Sequence, residues 1–285
     1  PLRFIDKCSQ LAFQVEEDIF HHSVEIDSVG TYWVPSHLFP QSLSADLVGR
    51  QIPTHGGFYD DAIVRLDEEG QILFQKSVSQ IFIENGLTNR IFGQSTFQRD
   101  PLHLNDIQPA LEDGPYWRKG DLFLSIRNQS MIVLYRPETN KIIWSKAGPW
   151  SHQHDVNIIN DHVISVFDNN VFPTVNGRQV QGSNRMVLYD FSTNSVRFFM
   201  EKGMKEHEIS TTTAGRGRVL SDEELFVEDQ NSGRLVFFEN DRIKWQYVNR
   251  SSTGEVYTVS WSRLVDSDRD LKIIKELVSD TEICQ

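Results

Sequence analysis

The chain has 285 residues, of which 39% are hydrophobic and 11% aromatic, which is enough for one well-packed domain. Its formal net charge of −12 argues against nucleic acid or an anionic membrane surface as a partner. No apolar run approaches the roughly 18 residues of a membrane-spanning helix, so no transmembrane segment is expected. The chain also lacks a Walker loop and the GxSxG, HExxH and CxxC motifs, which excludes the commoner phosphate-loop, hydrolase and zinc sites.

The N-terminus contains two short strand-like segments, residues 3–6 and 11–15, separated by a polar turn. The rest of the chain repeats a unit of four strands, and these two segments correspond to the third and fourth strands of that unit. The first and second strands of their unit do not precede them. Residues 256–264 at the other end of the chain are strand-like and also lack partners. Propellers commonly close their ring by building one blade from both termini, because closure removes exposed sheet edges.

The rest of the chain repeats a unit of four short strands, in which apolar residues alternate with others at a period of two. Turn residues separate the strands, as at 137–140, where Pro137 presets φ and Asn140 tolerates a left-handed conformation. The pattern predicts an all-β fold, a single β-propeller domain over residues 1–285. The predicted blades span residues 22–83, 103–145, 154–200 and 211–248, with a closing blade from 255–279 plus 1–16. This makes five blades, or six if upstream residues are missing.

Three of these units begin with a histidine: His22, His103 and His154. The first strand of each propeller blade lines the central channel, so we expect the three imidazoles to converge at one mouth of it. An imidazole can serve there as a base, a nucleophile, a hydrogen-bond donor to an anion or a metal ligand. The alternative is that each histidine is structural and bonds to a neighbouring blade.

Arginines near the strand ends favour an anionic ligand, because a guanidinium binds sulfate, phosphate or carboxylate in a fork. Arg127 is the first candidate anchor, with Arg216 and Arg218 in reserve; solvated rim positions or salt bridges between blades are the alternative. No metal site is expected. Asp168 and Asn169 are weak calcium candidates, and a turn with side-chain hydrogen bonds explains them equally well. Whether Cys8 and Cys284 pair stays open, as does the oligomeric state.

The sequence resembles the bacterial arylsulfotransferases, cofactor-independent aryl sulfate sulfotransferases with six-bladed propellers. The motifs that carry the resemblance are HLNDIQP at 103–109, LSIRNQS at 124–130, ETNKIIW at 138–144, QHD at 153–155 and VFDN at 166–169. The resemblance implies a ping-pong reaction, in which an aryl sulfate gives its sulfuryl group to a histidine and a phenol then takes it. It implies no cofactor, and a periplasmic or secreted location.

By the same resemblance, His103 and His154 correspond to two site histidines of the family, and Asn105 belongs to the substrate-binding set. Two departures stand out. The family arginine expected soon after Asn169 is missing, and the next arginine is Arg178. The nucleophilic histidine has no counterpart on the fourth blade, where His207 is the only candidate. A non-catalytic propeller that binds a ligand or protein, and a metal-assisted lyase or hydrolase at the histidines, are the alternative functions.

Overall fold

The computed structural model describes residues 1–6, 8–16, 19–49, 57–265, 271–272 and 274–276. It consists mainly of antiparallel sheets that stand side by side as the blades of a β-propeller, which confirms the predicted fold class. Four blades are complete in the described part of the chain. No helix among these residues is both long and apolar enough to cross a lipid bilayer.

The first blade has a fifth strand because its innermost strand is interrupted. The N-terminal hairpin and this blade contain β1 (Leu2–Ile5), β2 (Leu11–Val15), β3 (Ile19–Phe20), β4 (Glu25–Ile26), β5 (Tyr32–His37), α1 (Ala45–Val48), β6 (Asp61–Leu66), β7 (Ile72–Ser77), α2 (Val78–Glu84) and α3 (Asn89–Phe92). Both β3 and β4 pair with β5, and the residues between them leave the ladder. The interruption places His21 and His22 outside the sheet.

The other three blades each have four strands in a simple meander, from the innermost strand outwards. They contain β8 (Leu104–Pro109), β9 (Leu122–Ile126), β10 (Met131–Arg136) and β11 (Lys141–Ala147); β12 (Val156–Ile158), β13 (Val163–Asp168), β14 (Val171–Thr174), β15 (Gly177–Val180), β16 (Arg185–Asp190), β17 (Ser195–Phe199) and α4 (Glu201–Glu206); and β18 (Arg216–Ser221), β19 (Glu224–Asp229), β20 (Arg234–Glu239) and β21 (Arg242–Val248). Strands β14 and β15 form a separate hairpin inserted into the third blade.

Hydrophobic clusters between successive blades form the core. One joins the first and second blades, one the second and third, and one the third and fourth, while a smaller cluster joins the N-terminal hairpin to the first blade. Every residue of β9 is buried, because neighbouring blades cover both faces of the sheet. The outer strand β11 alternates between exposed and half-buried positions. The burial pattern explains why the apolar periodicity is weaker in the middle strands than in the outer ones.

A tyrosine–asparagine pair recurs at the turn between the third and fourth strands. Asn140 has φ of +54°, as the turn prediction requires, and its side chain accepts a hydrogen bond from the Tyr135 hydroxyl at 2.9 Å. Asn194 has φ of +52° and accepts from Tyr189 at 2.6 Å in the next blade. The same side-chain bond therefore fixes the same turn in two blades.

The expected five-blade count is not what the structure shows, since the closing blade is not a four-stranded sheet among the described residues. β1 and β2 pair only with each other there. The predicted strand at 256–264 is irregular, with one isolated β-bridge between Arg250 and Val256. Residues 266–270, 273 and 277–285, including Cys284, lie outside the described part of the chain.

Side-chain contacts hold this irregular segment where a ladder was expected. The Glu228 carboxylate accepts hydrogen bonds from the amides of Trp261 and Ser262, at 3.0 and 2.5 Å. Arg263 donates to both carboxylate oxygens of Glu25, at 3.0 and 2.8 Å. Because Glu228 belongs to the fourth blade and Glu25 to the first, residues 261–263 connect these two blades without adding a strand.

The turn that contains Gly70, in the first blade, packs against the N-terminal hairpin. Replacement of this glycine gives a testable prediction. Gly70 has φ of +83°, and a Cβ built on it would lie 2.6 Å from the ring of Phe13. Gly70→Ala is expected to lower the free energy of unfolding by about 1–2 kcal/mol for the left-handed backbone and by a further 1–3 kcal/mol for the clash. Urea unfolding measures the loss.

Gly30 provides a matched control for Gly70→Ala. It closes a turn of the same kind, with its amide donating to the Asp27 carbonyl as Gly70 donates to Asp67, both at 3.2 Å. Its φ is +86°, and nothing lies within 4 Å of the added Cβ. Gly30→Ala should therefore show the backbone cost alone. Equal losses at both positions would mean that the hairpin does not pack on Gly70.

Candidate functional site

Histidines from three blades meet in the structure. The ring of His22 lies 5.5 Å from that of His103 and 5.8 Å from that of His154. The ring of Trp261, on the segment that joins the fourth blade to the first, lies 6.3 Å from His22. The structure therefore brings together the three histidines that the sequence singled out, next to the innermost strands.

An unusual backbone conformation recurs at the histidines. His22, His103 and His152 have φ of +60°, +58° and +55°, in the left-handed region that non-glycine residues rarely adopt. Such residues cost of order 1–3 kcal/mol each and cluster at functional sites. An aspartate follows three residues after His103 and after His152. This shared His-x-x-Asp spacing would have identified His152 from the sequence, whereas our sequence analysis assigned it no role.

His103 has the contacts of an activated imidazole. Its Nδ1 lies 2.7 Å from Asp100 Oδ2, and its backbone amide donates to Asp61 Oδ2 at 2.9 Å. A carboxylate only accepts, so the Nδ1 proton points to Asp100 and the lone pair is on Nε2. Burial raises the pKa of Asp100, but the His103 hydrogen bond and favourable electrostatic interactions with His103, His37 and Arg127 outweigh it and leave that pKa lowered. A quarter of the His103 side chain is exposed, so a substrate can reach it.

His154 has both ring nitrogens engaged by the protein. Its Nδ1 lies 2.7 Å from Asn169 Oδ1, and the amide of Ala214 donates to Nε2 at 2.8 Å. The ring is therefore neutral, with its proton on Nδ1. Burial, followed by unfavourable electrostatic interactions with His22 and Arg127, lowers its pKa well below the ordinary value. These contacts join the third blade to the start of the fourth, and they leave His154 no free nitrogen for a substrate.

Arg127 is a buried cation without a carboxylate partner among its described contacts. Its side chain is 3% exposed; one terminal nitrogen donates to Asn128 Oδ1 at 2.9 Å, and the other is buried with no hydrogen-bond partner. Burial, then the positive charge of Arg178, lowers its pKa to about 10. Arg178 reaches this region on the β14–β15 hairpin, which the sequence could not place. An unpaired buried guanidinium favours an anion in contact with it.

His152 and His22 complete the surroundings of His103 and Arg127. His152 Nδ1 lies 2.9 Å from the Val171 carbonyl, which fixes a proton on Nδ1 and leaves Nε2 for another partner. Burial, then Arg127, lowers the His152 pKa. Burial, then His103 and Arg127, lowers the pKa of His22 to about 3. The cluster is therefore rich in neutral imidazoles around one fixed cation.

Arg216 belongs to a separate, charge-paired cluster on the innermost strands. It donates to Asp155 Oδ1 at 3.1 Å, lies 3.6 Å from Glu25 Oε1 and stacks on Trp261 at 5.1 Å. Burial opposes its charge, but these carboxylates outweigh that effect and raise the pKa of Arg216. Burial, then Asp155 and Glu25, raises the pKa of Asp106 beside them. Since Arg216 is already neutralised, it is a poorer anion anchor than Arg127.

The remaining sequence candidates lie apart from the cluster or are engaged in structural contacts. Arg218 is exposed on β18. Asn105 is fully buried and donates to the Gln153 carbonyl at 3.0 Å, which joins the second blade to the third. His207 ends α4, and its ring packs 5.8 Å from Phe238, so the structure does not bring it to the other histidines.

The two calcium candidates have their oxygens occupied by protein donors. Asp168 Oδ1 accepts from the amides of Ser151 and Asn170, at 2.7 and 2.8 Å, and Oδ2 accepts from Arg185. The Asn169 side-chain oxygen is bound to His154. The alternative interpretation of a turn with side-chain hydrogen bonds therefore describes these residues.

Comparisons with known proteins give one family match and several similar solved structures. The family model described as Arylsulfotransferase (ASST) matches residues 1–250. No curated protein matches the chain. Among solved structures, a protein of unknown function from Bacteroides caccae is similar with a TM-score of 0.51 at 9% identity, covering 86% of this chain and 73% of that one. The β-propeller domain of Cps50 (Swd1) from Myceliophteria thermophila has a TM-score of 0.43 at 12% identity, covering 88% and 62%.

Proposed function

Because the chain belongs to the arylsulfotransferase family, we propose that it transfers a sulfuryl group from an aryl sulfate to a phenol at the histidine cluster. The observation that carries the proposal is the His103–Asp100 pair beside the buried Arg127, whose Nη2 has no hydrogen-bond partner. The pair supplies a nucleophilic nitrogen, and the guanidinium supplies positive charge for the sulfuryl oxygens. These are the two requirements of sulfuryl transfer.

In the first half-reaction, His103 Nε2 attacks the sulfur of the aryl sulfate. A nitrogen–sulfur bond forms, and the bond between sulfur and the aryl oxygen breaks, so the phenolate leaves with that electron pair. Asp100 holds the proton on Nδ1 and stabilises the positive charge that develops on the ring. The Arg127 guanidinium stabilises the negative charge on the sulfuryl oxygens. Arg178, on the β14–β15 hairpin, adds a second positive charge.

In the second half-reaction, the oxygen of an acceptor phenol attacks the same sulfur and restores His103. The proton moves in opposite directions in the two halves. In the second half-reaction the acceptor phenol gives its proton to an imidazole, and the imidazolium formed gives that proton to the phenolate released in the next turnover. His152 is suited to accept it, since its Nδ1 proton is held by the Val171 carbonyl and its Nε2 lone pair has no partner among the described contacts. His154 and Arg216 then act as positioning residues, through Asn169 and Asp155.

The donor and acceptor are small aryl compounds, and no nucleic-acid partner is part of the proposal. The family resemblance also supports a periplasmic or secreted location. The net charge of −12 does not oppose an anionic donor, because Arg127 and Arg178 set the local charge at the site.

Incubation with p-nitrophenyl sulfate tests this function. With a phenol present, we expect continuous release of p-nitrophenolate and formation of the sulfated acceptor. Without an acceptor, release should stop after about one equivalent per chain, because the enzyme stays sulfated. Release of inorganic sulfate at the same rate would indicate a sulfatase. No release at all would support a propeller that only binds its ligand.

A further inference from the structure

Three side chains of the first blade converge beside the histidine cluster. His21 follows β3, His37 ends β5, and Asp61 begins β6 directly opposite His37 in the strand register. Asp61 Oδ1 lies 3.2 Å from His37 Nε2 and 3.7 Å from His21 Nε2, and all three atoms lie within 4.8 Å of one another. Two ligands of a tetrahedral ion, each about 2.0–2.1 Å from it, are separated by about 3.4 Å. The spacing is thus close to that of a ligand set.

None of the three converging atoms has a hydrogen-bond partner. His21 Nε2, His37 Nε2 and Asp61 Oδ1 are all buried, and the Asp61 side chain is only 1% exposed. A buried polar atom without a partner costs about 1–3 kcal/mol, and a charged one costs more. Three such atoms facing one point make the arrangement unfavourable unless a cation lies between them. From this geometry we propose that His21, His37 and Asp61 bind a divalent first-row transition-metal ion.

The other polar atoms of these residues are arranged as metal ligands require. His21 Nδ1 lies 2.6 Å from His22 Nδ1, so the nitrogen that does not face the centre is held by a neighbour. Asp61 Oδ2 accepts from the His103 amide at 2.9 Å, which fixes the carboxylate. Outer contacts of this kind orient ligating histidines and carboxylates. Asp61 and His37 lie opposite each other on strands β6 and β5, so the sheet holds two of the three ligands, and His21 directly follows β3.

Two imidazoles and one carboxylate select the class of ion. Nitrogen ligands favour zinc, iron, cobalt or nickel over calcium and magnesium, which prefer oxygen. Three protein ligands leave at least one coordination position for water or another oxygen ligand. The ring of His21 lies 6.4 Å from that of His103, so the ion would lie beside the proposed sulfuryl-binding pocket. The site itself requires no sulfuryl transfer and goes beyond that function.

Cobalt(II) titration of the untagged, chelator-treated full chain tests the site. We expect saturable binding of one equivalent with a visible absorption band, and a higher melting temperature with the ion bound. His37→Ala and His21→Ala should each lose the band and the rise in melting temperature. His162→Ala, at an exposed histidine paired with Asp161, should bind as the wild type does.

Asp61→Asn keeps the proposal testable if an alanine variant unfolds. It removes the buried carboxylate charge, so we expect a metal-free melting temperature at or above that of the wild type and no further rise with cobalt. Absence of saturable binding in the wild type would overturn the site. So would binding that persists unchanged in the His37 and Asp61 variants. Binding without sulfuryl transfer would refute the proposed function alone, and transfer without binding would refute the metal site alone.

Discussion

His103→Ala is expected to lower the rate of sulfuryl transfer by a factor on the order of 10⁴ or more, because it removes the attacking nitrogen. The wild type treated with an aryl sulfate and no acceptor should gain the mass of one sulfuryl group on the peptide that contains His103. The variant should gain none. Initial rates with p-nitrophenyl sulfate and mass spectrometry of the digested protein measure the two effects.

Two further variants separate catalysis from folding at this position. Asp100→Asn keeps the shape of the hydrogen-bonded pair but removes its charge, so we expect a smaller loss than for His103→Ala and a retained, slower burst. His162→Ala removes an exposed histidine–aspartate pair outside the cluster and should leave the rate unchanged. Sulfation of His152, His22 or His207 in place of His103 would contradict the assignment of the nucleophile.

Arg127→Met is expected to lower activity without lowering the stability of the fold. The side chain loses its charge near the transferred group, so kcat/KM should fall by about 10²–10³-fold. The same change removes a buried guanidinium nitrogen that has no partner. The free energy of unfolding should therefore stay the same or rise, by up to about 2 kcal/mol. Steady-state kinetics and urea unfolding give the two numbers.

Arg136 supplies the matched comparison for this prediction. It makes two hydrogen bonds of 2.7 Å to the buried carboxylate of Asp121, on the second blade. Arg136→Met should lower stability by about 1–3 kcal/mol, because it leaves the buried Asp121 carboxylate with only the Arg118 amide as a donor, and should change kcat/KM little. If Arg127→Met destabilises the chain as Arg136→Met does, Arg127 is a structural residue and not the anion anchor.

The sequence predicted those parts of the fold that depend on local pattern. Alternation at a period of two and turn residues such as Asn140 indicated an all-β propeller, because half-buried strands and left-handed turns each have residue preferences. The convergence of His22, His103 and His154 followed from the repeat, since equivalent positions of successive blades surround one axis. The family resemblance, carried by motifs in the second and third blades, agrees with the family match over residues 1–250.

Other features depended on contacts that no local pattern encodes. The resemblance predicted a site role for His154, yet Asn169 and the Ala214 amide occupy its ring nitrogens. Arg178 is distant from the motif, and the β14–β15 hairpin returns it to Arg127. His21 and His37 are 16 residues apart (37 − 21) and face each other only because β3 pairs with β5. The segment predicted as a strand at 256–264 is irregular, and the carboxylates of Glu228 and Glu25 bind its residues 261–263.

The joint between the fourth blade and the first has a consequence for how the molecule opens. An apolar cluster joins each of the other pairs of successive blades, whereas the described contacts at this joint are hydrogen bonds that Glu228 and Glu25 accept and the ion pair between Arg216 and Glu25. Free energies of local opening follow such differences in buried apolar contact. Among the described residues this joint therefore has the least buried apolar contact, and the Trp261 ring on it lies 6.3 Å from that of His22. Local opening between the fourth blade and the first would move Trp261 away from the histidine cluster while the four blades stay folded.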